Sequence, residues 1–118
     1  MKRGLSLVLA ALMAASVMIC GCSKKDDSLT KIKTSGVFVL GLDDAFPPMG
    51  FRDESNEITG FDIDVAKEVA SRMGVELKCQ PIDWDSNVLE LNSGNIDCIW
   101  NGLTITADRQ KQMTFSDA

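Results

Sequence analysis

The order of the apolar runs constrains this fold more than any other feature. Val37 to Leu42 (Val-Phe-Val-Leu-Gly-Leu) contains no polar residue and is rich in β-branched and aromatic side chains, the pattern of a central strand covered on both faces. Downstream, Phe61, Val65, Val69 and Met73 step by four with Ala66 and Ala70 beside them, while Asp62, Asp64, Lys67, Glu68 and Arg72 take the other side. That is an amphipathic helix, started by Gly60 and closed by Gly74, with acids early and Arg72 late as the helix dipole favours. Val75 to Gln80 alternates apolar and polar, a strand with one drier face that Pro81 stops. A short helix is predicted over Asn87 to Asn92, ended by Gly94, then a buried strand over Ile96 to Trp100. A last helix follows from Ala107 to Gln112, and Met113 to Ser116 supplies material for a further strand. This β–α–β–α–β–α order implies an α/β fold, a parallel sheet with helices on both faces and right-handed crossovers.

Between the third strand and the last helix lies Trp100-Asn101-Gly102-Leu103-Thr104-Ile105-Thr106-Ala107-Asp108-Arg109. Thr106 is placed to cap the helix, with Asp108 in its first turn. A strand end, a glycine, hydroxyls, a helix start and a guanidinium together make a place to hold a carboxylate. The plainer account is a strand–loop–helix junction whose Thr and Asn close turns, with Arg109 a surface arginine at the third helical position. The loop Asp43 to Phe51 ends the first strand with two prolines and leaves Phe46 and an acid beside it. Open α/β folds place ligand contacts at such strand C-terminal ends. Glu54-Ser55-Asn56 is suited to turn a small hairpin.

The chain begins with Lys2 and Arg3, then an apolar segment from Gly4 to Ile19 interrupted by Ser6 and Ser16, and closes on Cys20-Gly21-Cys22-Ser23. A positive start, an apolar stretch shorter than the ~20 residues of a membrane span, and small residues read as an export signal. The closing segment resembles a bacterial lipoprotein signal, with residues 1–21 removed and Cys22 lipidated (palmitate included). Cleavage there without lipid is the alternative. Polar residues from Ser23 to Ser35 make 22–35 a poorly ordered tether, leaving 36–118 as the folded part.

Without residues 1–21 the chain has 97 residues, enough for one small domain, carrying 10 Lys/Arg against 17 Asp/Glu and a formal charge of −7. Such acidity argues against nucleic acid and against adsorption of the folded part to anionic lipid. There is no histidine, so the commonest general base and transition-metal ligand is missing, and neither a cofactor nor a metal is expected. Cys79 and Cys98 lie on separate predicted strands at no zinc-like spacing and are expected to be free and buried.

Four segments together resemble solute-binding protein family 3, the extracytoplasmic amino-acid-binding proteins of ABC importers. They are Gly60-Phe61-Asp62-Ile63-Asp64-Val65, Val69-Ala70 with Met73, Trp100 to Thr106 with Arg109, and Phe115-Ser116-Asp117. The resemblance implies the first lobe of a type II periplasmic-binding-protein fold, with the second lobe missing from this chain. It also implies roles. Arg109 pairs with an amino acid's α-carboxylate, helped by the backbone N–H and hydroxyl of Thr104. Gly102 offers its carbonyl to the α-ammonium, Asp43 lies at the polar end of the pocket, Phe46 and Trp84 wall the ligand side chain, and Asn101 faces the same cleft. A planar guanidinium matches a carboxylate with two parallel bonds, which lysine cannot do.

The implied protein is a monomeric receptor, lipid-anchored outside the cytoplasm, that captures a polar amino acid and presents it to a membrane permease. The alternatives are a periplasmic dehydratase-like enzyme on the same fold and the receiver module of a sensory protein. The enzyme needs a general acid of raised pKa, and Asp43 is the one pocket acid available. One lobe alone leaves the ligand in water, where charge–charge contacts weaken, so this chain is expected to be a fragment with weak or undetectable binding.

Overall fold

The structure is a computed structural model that describes residues 26–117. The signal segment 1–21 and Cys22 therefore lie outside the described residues. The expected tether is in part a helix, α1 (Ser28–Ser35). Its single apolar anchor is Ile32, which is buried with Phe38 and Ala70. One buried residue every two turns is too faint a pattern to read as a helix from sequence.

Strand β1 (Val37–Leu42) is the centre of a three-stranded sheet. It pairs in parallel with β5 (Glu76–Pro81) on one side and β6 (Cys98–Ile99) on the other. Pro81 is the last residue of β5, opposite Leu42, and does not merely stop it. A proline without an N–H is tolerated there because β5 is an edge strand. The ladder of β6 is shorter than the predicted run, yet pairing continues at both ends. Asp97 N–H donates to the Val39 carbonyl (2.8 Å) and Trp100 N–H to the Gly41 carbonyl (3.1 Å). The Asp97 carboxylate also accepts from Val39 N–H at 2.7 Å.

A second, antiparallel sheet is formed by β2 (Ala45–Phe46), β3 (Gly50–Arg52) and β4 (Ile58–Thr59). Its β3–β4 turn is the hairpin expected at Glu54–Asn56, with Asn56 at φ 63° and the Asp53 carboxylate accepting from Ser55 and Glu57 N–H.

Helix α2 (Phe61–Met73) forms where the four-residue spacing predicted it, and Gly74 closes it at φ 72°. The buried face differs from the expected one. Ile63, Ala66 and Ala70 are buried with Asp62, whereas Phe61 and Val65 are exposed. The alanines explain the rotation. Their small side chains let the helix settle closely on Leu40 and Leu42, with Ile63 filling the remaining gap.

Helix α3 (Asn87–Ser93) follows a single 3₁₀ turn (Trp84–Ser86), and α4 (Ala107–Gln110) is one short turn beyond β6. The chain steps from β1 to β5 and then back across β1 to β6, so right-handed crossovers place α2 and α3 on opposite faces. Met113–Ser116, expected as a further strand, carries no ladder among the described residues.

Cys79 and Cys98 both sit opposite Leu40, one on each flanking strand. Two strand spacings separate them by ~9.6 Å, beyond the reach of a disulfide, and both are free. Burial pushes the Cys98 thiol up to about 12, with Asp97 adding to it; burial also raises Cys79, against the opposing charge of Lys67.

Candidate functional site

In a sheet of order β5-β1-β6 the chain leaves β1 for β5 on one side and returns to β6 on the other, so the crevice between the C-terminal ends of β1 and β6 is where the strand order reverses. Asp43 and Phe46 follow β1, and Asn101 to Arg109 follow β6. The register brings these two loops to the same edge, since Gly41 pairs with Ile99. Trp84 also lies at that edge, but after β5, on the far side of β1 from the crevice.

The loop after β1 is stiff. The Asp43 carboxylate accepts from Ala45 N–H at 2.9 Å, and Asp44 pairs with Arg52 at 2.6 Å across the hairpin. Phe46 stands 45% exposed on β2. Its ring lies over Gly102, where an added Cβ would stand 3.2 Å from Cε1. Gly102 has φ 57°, a left-handed conformation that an L side chain rarely adopts, so its backbone favours glycine, and the ring above leaves an added side chain little room.

After β6 the expected cap at Thr106 forms, on a helix that ends at Gln110 rather than Gln112. Thr106 accepts from Arg109 N–H at 3.2 Å through its hydroxyl, capping α4. The guanidinium turns back along the loop, and Nη1 donates to the Thr104 carbonyl at 2.9 Å. Arg52 and Arg72 are paired with Asp44 and Glu68; among the described residues Arg109 has no carboxylate partner. One of its donors holds the loop, and the other N–H groups of the planar fork have no hydrogen-bond partner among the described residues. Thr104 is exposed beside it.

Asn101, expected to face the cleft, is buried among the loops. It is 4% exposed, and its Nδ2 has no hydrogen-bond partner. Phe61, expected on the buried face of α2, is not in the core. It stands 64% exposed at the start of α2, and its N–H donates to the Pro48 carbonyl at 3.0 Å, two residues beyond Phe46. Its i, i+4 spacing with Val65 made it look like core; the small alanines one position round the helix were the available contrary signal.

A hollow of about 900 Å³ lies on the outer flank of β6 and takes in Asn101 and Gly102 but not Asp43, Phe46, Trp84, Thr104 or Arg109. Its charged lining is Asp26, Asp97 and Asp117, which does not suit a carboxylate.

A parallel sheet with these loops at the C-terminal ends of its strands is the architecture of one lobe of the type II periplasmic-binding fold. The chain belongs to the bacterial extracellular solute-binding proteins, family 3, whose model matches residues 38–118. It is 33% identical over 106 residues to the L-cystine-binding protein TcyJ of Escherichia coli K12, covering 86% of this chain and 40% of TcyJ. It is 32% identical over 117 residues to the arginine-binding extracellular protein ArtP of Bacillus subtilis 168, covering 99% of this chain and 44% of ArtP. The chain thus spans about two fifths of the length of these curated relatives. The arginine-bound form of domain 1 of TmArgBP, from T. maritima, superposes with a TM-score of 0.71 at 46% identity, over 74% of this chain and 69% of that domain. These relatives are named as binding proteins, and nothing in them supports the dehydratase-like alternative.

Proposed function

We propose that this chain is the ligand-gripping lobe of an extracytoplasmic receptor that captures a cationic amino acid, arginine first, for an ABC permease. The observation that carries the reading is Arg109: half-buried, fastened to the Thr104 carbonyl, and without a carboxylate of its own among the described residues. A guanidinium held in that way takes an α-carboxylate with two bonds and little further loss of side-chain freedom. Gly102 offers its carbonyl, and Asp43 its second carboxylate oxygen, to the α-ammonium. Phe46 and Phe61 wall the side chain, with Trp84 a more distant wall at the β5 end. Exposed aromatic faces in an acidic protein suit a cationic side chain.

ArtP and TmArgBP are both named for arginine, and TmArgBP domain 1 is arginine-bound as a single domain, which supports measurable binding by one lobe. A second lobe would tighten that binding by excluding water. The signal segment and Cys22 would deliver the chain outside the cytoplasm as a lipid-anchored monomer; release from membranes by salt alone would rule the anchor out.

Titration calorimetry with L-arginine, L-histidine, L-cystine and agmatine tests the reading. One saturable site is expected, tightest for L-arginine and lost with agmatine, which keeps the guanidinium but lacks the carboxylate. Arg109→Lys is expected to weaken arginine binding by about 10- to 100-fold with the circular dichroism unchanged. Failure of all three amino acids to saturate, or wild-type affinity in Arg109→Lys, would overturn it.

A further inference from the structure

Asn101 and Gly50 both have features that the ligand grip leaves unexplained. Asn101 is buried, with an amide nitrogen that finds no partner, a costly arrangement for a polar side chain. Gly50 is buried in β3 with a backbone that is not left-handed, so the lack of a side chain there is a matter of space. A Cβ on Gly50 would stand 2.8 Å from Asn101 Nδ2, 3.1 Å from Leu42 Cδ1 and 3.4 Å from the Asp43 carbonyl oxygen. Real Cβ atoms are not found as near as the first of these, and Leu42, fully buried, has no room to retreat.

These contacts form a closed ring. Gly50 is the cross-strand partner of Phe46 in the β2–β3 hairpin. The Phe46 ring rests over Gly102, and Gly102 is the next residue after Asn101. The hairpin and the clamp loop meet twice, through an amide under a glycine and through a ring over a glycine.

We propose that Asn101 is a positioning residue: wedged beneath Gly50, it sets the height at which the hairpin seats Phe46 on Gly102, and so the width of the ligand slot. It touches no ligand. A methyl at position 50 would have to displace the amide, which occupies the space it would fill. This role rests on the amino-acid reading of the pocket, but its geometry is measurable without any ligand.

The experiment uses the full chain and its Gly50→Ala, Asn101→Ala and Gly50→Ala/Asn101→Ser variants. Two readouts are taken: the nuclear Overhauser contact between Gly102 Hα and the Phe46 ring protons, and the dissociation constant for L-arginine by calorimetry. Gly50→Ala is expected to abolish the contact and weaken arginine by about tenfold, and the double variant, whose shorter side chain makes room for the methyl, to restore both. A general loss of stability would not be repaired by shortening a second buried side chain. An unchanged contact in Gly50→Ala, or a double variant no better than the single, overturns the proposal. Should Gly50→Ala fail to fold, Asn101→Ala decides: a weakened contact supports the wedge and an unchanged one refutes it. Failure of the wild type to bind arginine would count against the amino-acid reading alone, since the ring contact still reports on the wedge.

Discussion

The two loops that meet at the crevice belong to regions held in very different ways. From Val37 to Met73 the chain is anchored by Leu40, Leu42, Ile63 and Ala66, all fully buried and in mutual contact. From Gly102 to Asp117 no described residue is buried. Phe46 thus stands on a scaffold, whereas Arg109 stands on a segment secured by a threonine cap and one bond to a carbonyl. Local stability follows buried apolar contact, so the half of the site that supplies the charge is the half that opens first. On the proposed reading, the scaffold sets the shape of the pocket and the loose segment its affinity.

The largest effect that separates the two regions is expected at Leu40. It lies at the centre of the core, fully buried between α2 and the sheet. Leu40→Ala is expected to cost about 2–5 kcal/mol in urea unfolding, a large share of the stability of a domain this small, and to take arginine binding down with the fold. A cost under about 1 kcal/mol would mean the scaffold is no firmer than the clamp, and the contrast would fail.

A smaller effect is expected at Thr106, confined to the loose region. Thr106→Ala removes the hydroxyl that accepts from Arg109 N–H, a change worth about 1 kcal/mol to a helix start. Because α4 is a single turn remote from the core, the urea midpoint should stay put while amide exchange over 107–110 quickens and arginine binding weakens about threefold to tenfold. A fall in the midpoint with no change in exchange would show that the clamp and the core unfold together.

What the sequence disclosed divides along the same line. Strand β1, helix α2, the hairpin turn at Asn56 and the separation of the two cysteines were legible because each depends on local pattern or on strand order. The buried face of α2 was not legible, because Phe61 and Val65 obey the apolar spacing as well as Ile63, Ala66 and Ala70 do; only close approach to Leu40 and Leu42 decides between them. For the same reason Phe61 was expected in the core and stands exposed. The Thr106 cap was legible because a cap and its third following residue are neighbours in sequence, whereas the bond from Arg109 to the Thr104 carbonyl was not foreseen. The Asn101–Gly50 contact joins residues 51 positions apart, and nothing local announces it.

The smallest effect is expected within the firm region, at Asp62. It is buried in the first turn of α2, and loss of water raises its carboxyl above the usual value of 3.8. A carboxyl whose folded value lies above its unfolded one binds its proton more tightly in the folded chain. Its contribution favours folding below about pH 3.8 and is lost as pH rises through the raised folded value. At neutral pH the charge is therefore a burden, eased in part by the positive end of the helix. Asp62→Asn keeps the shape and removes the charge, so thermal unfolding at pH 7 should shift slightly upward while the shift at pH 3.5 vanishes. If the neutral variant were instead less stable at pH 7, the helix end would outweigh the loss of water, and even the tightly packed half of the molecule would be tuned by electrostatics more than by burial.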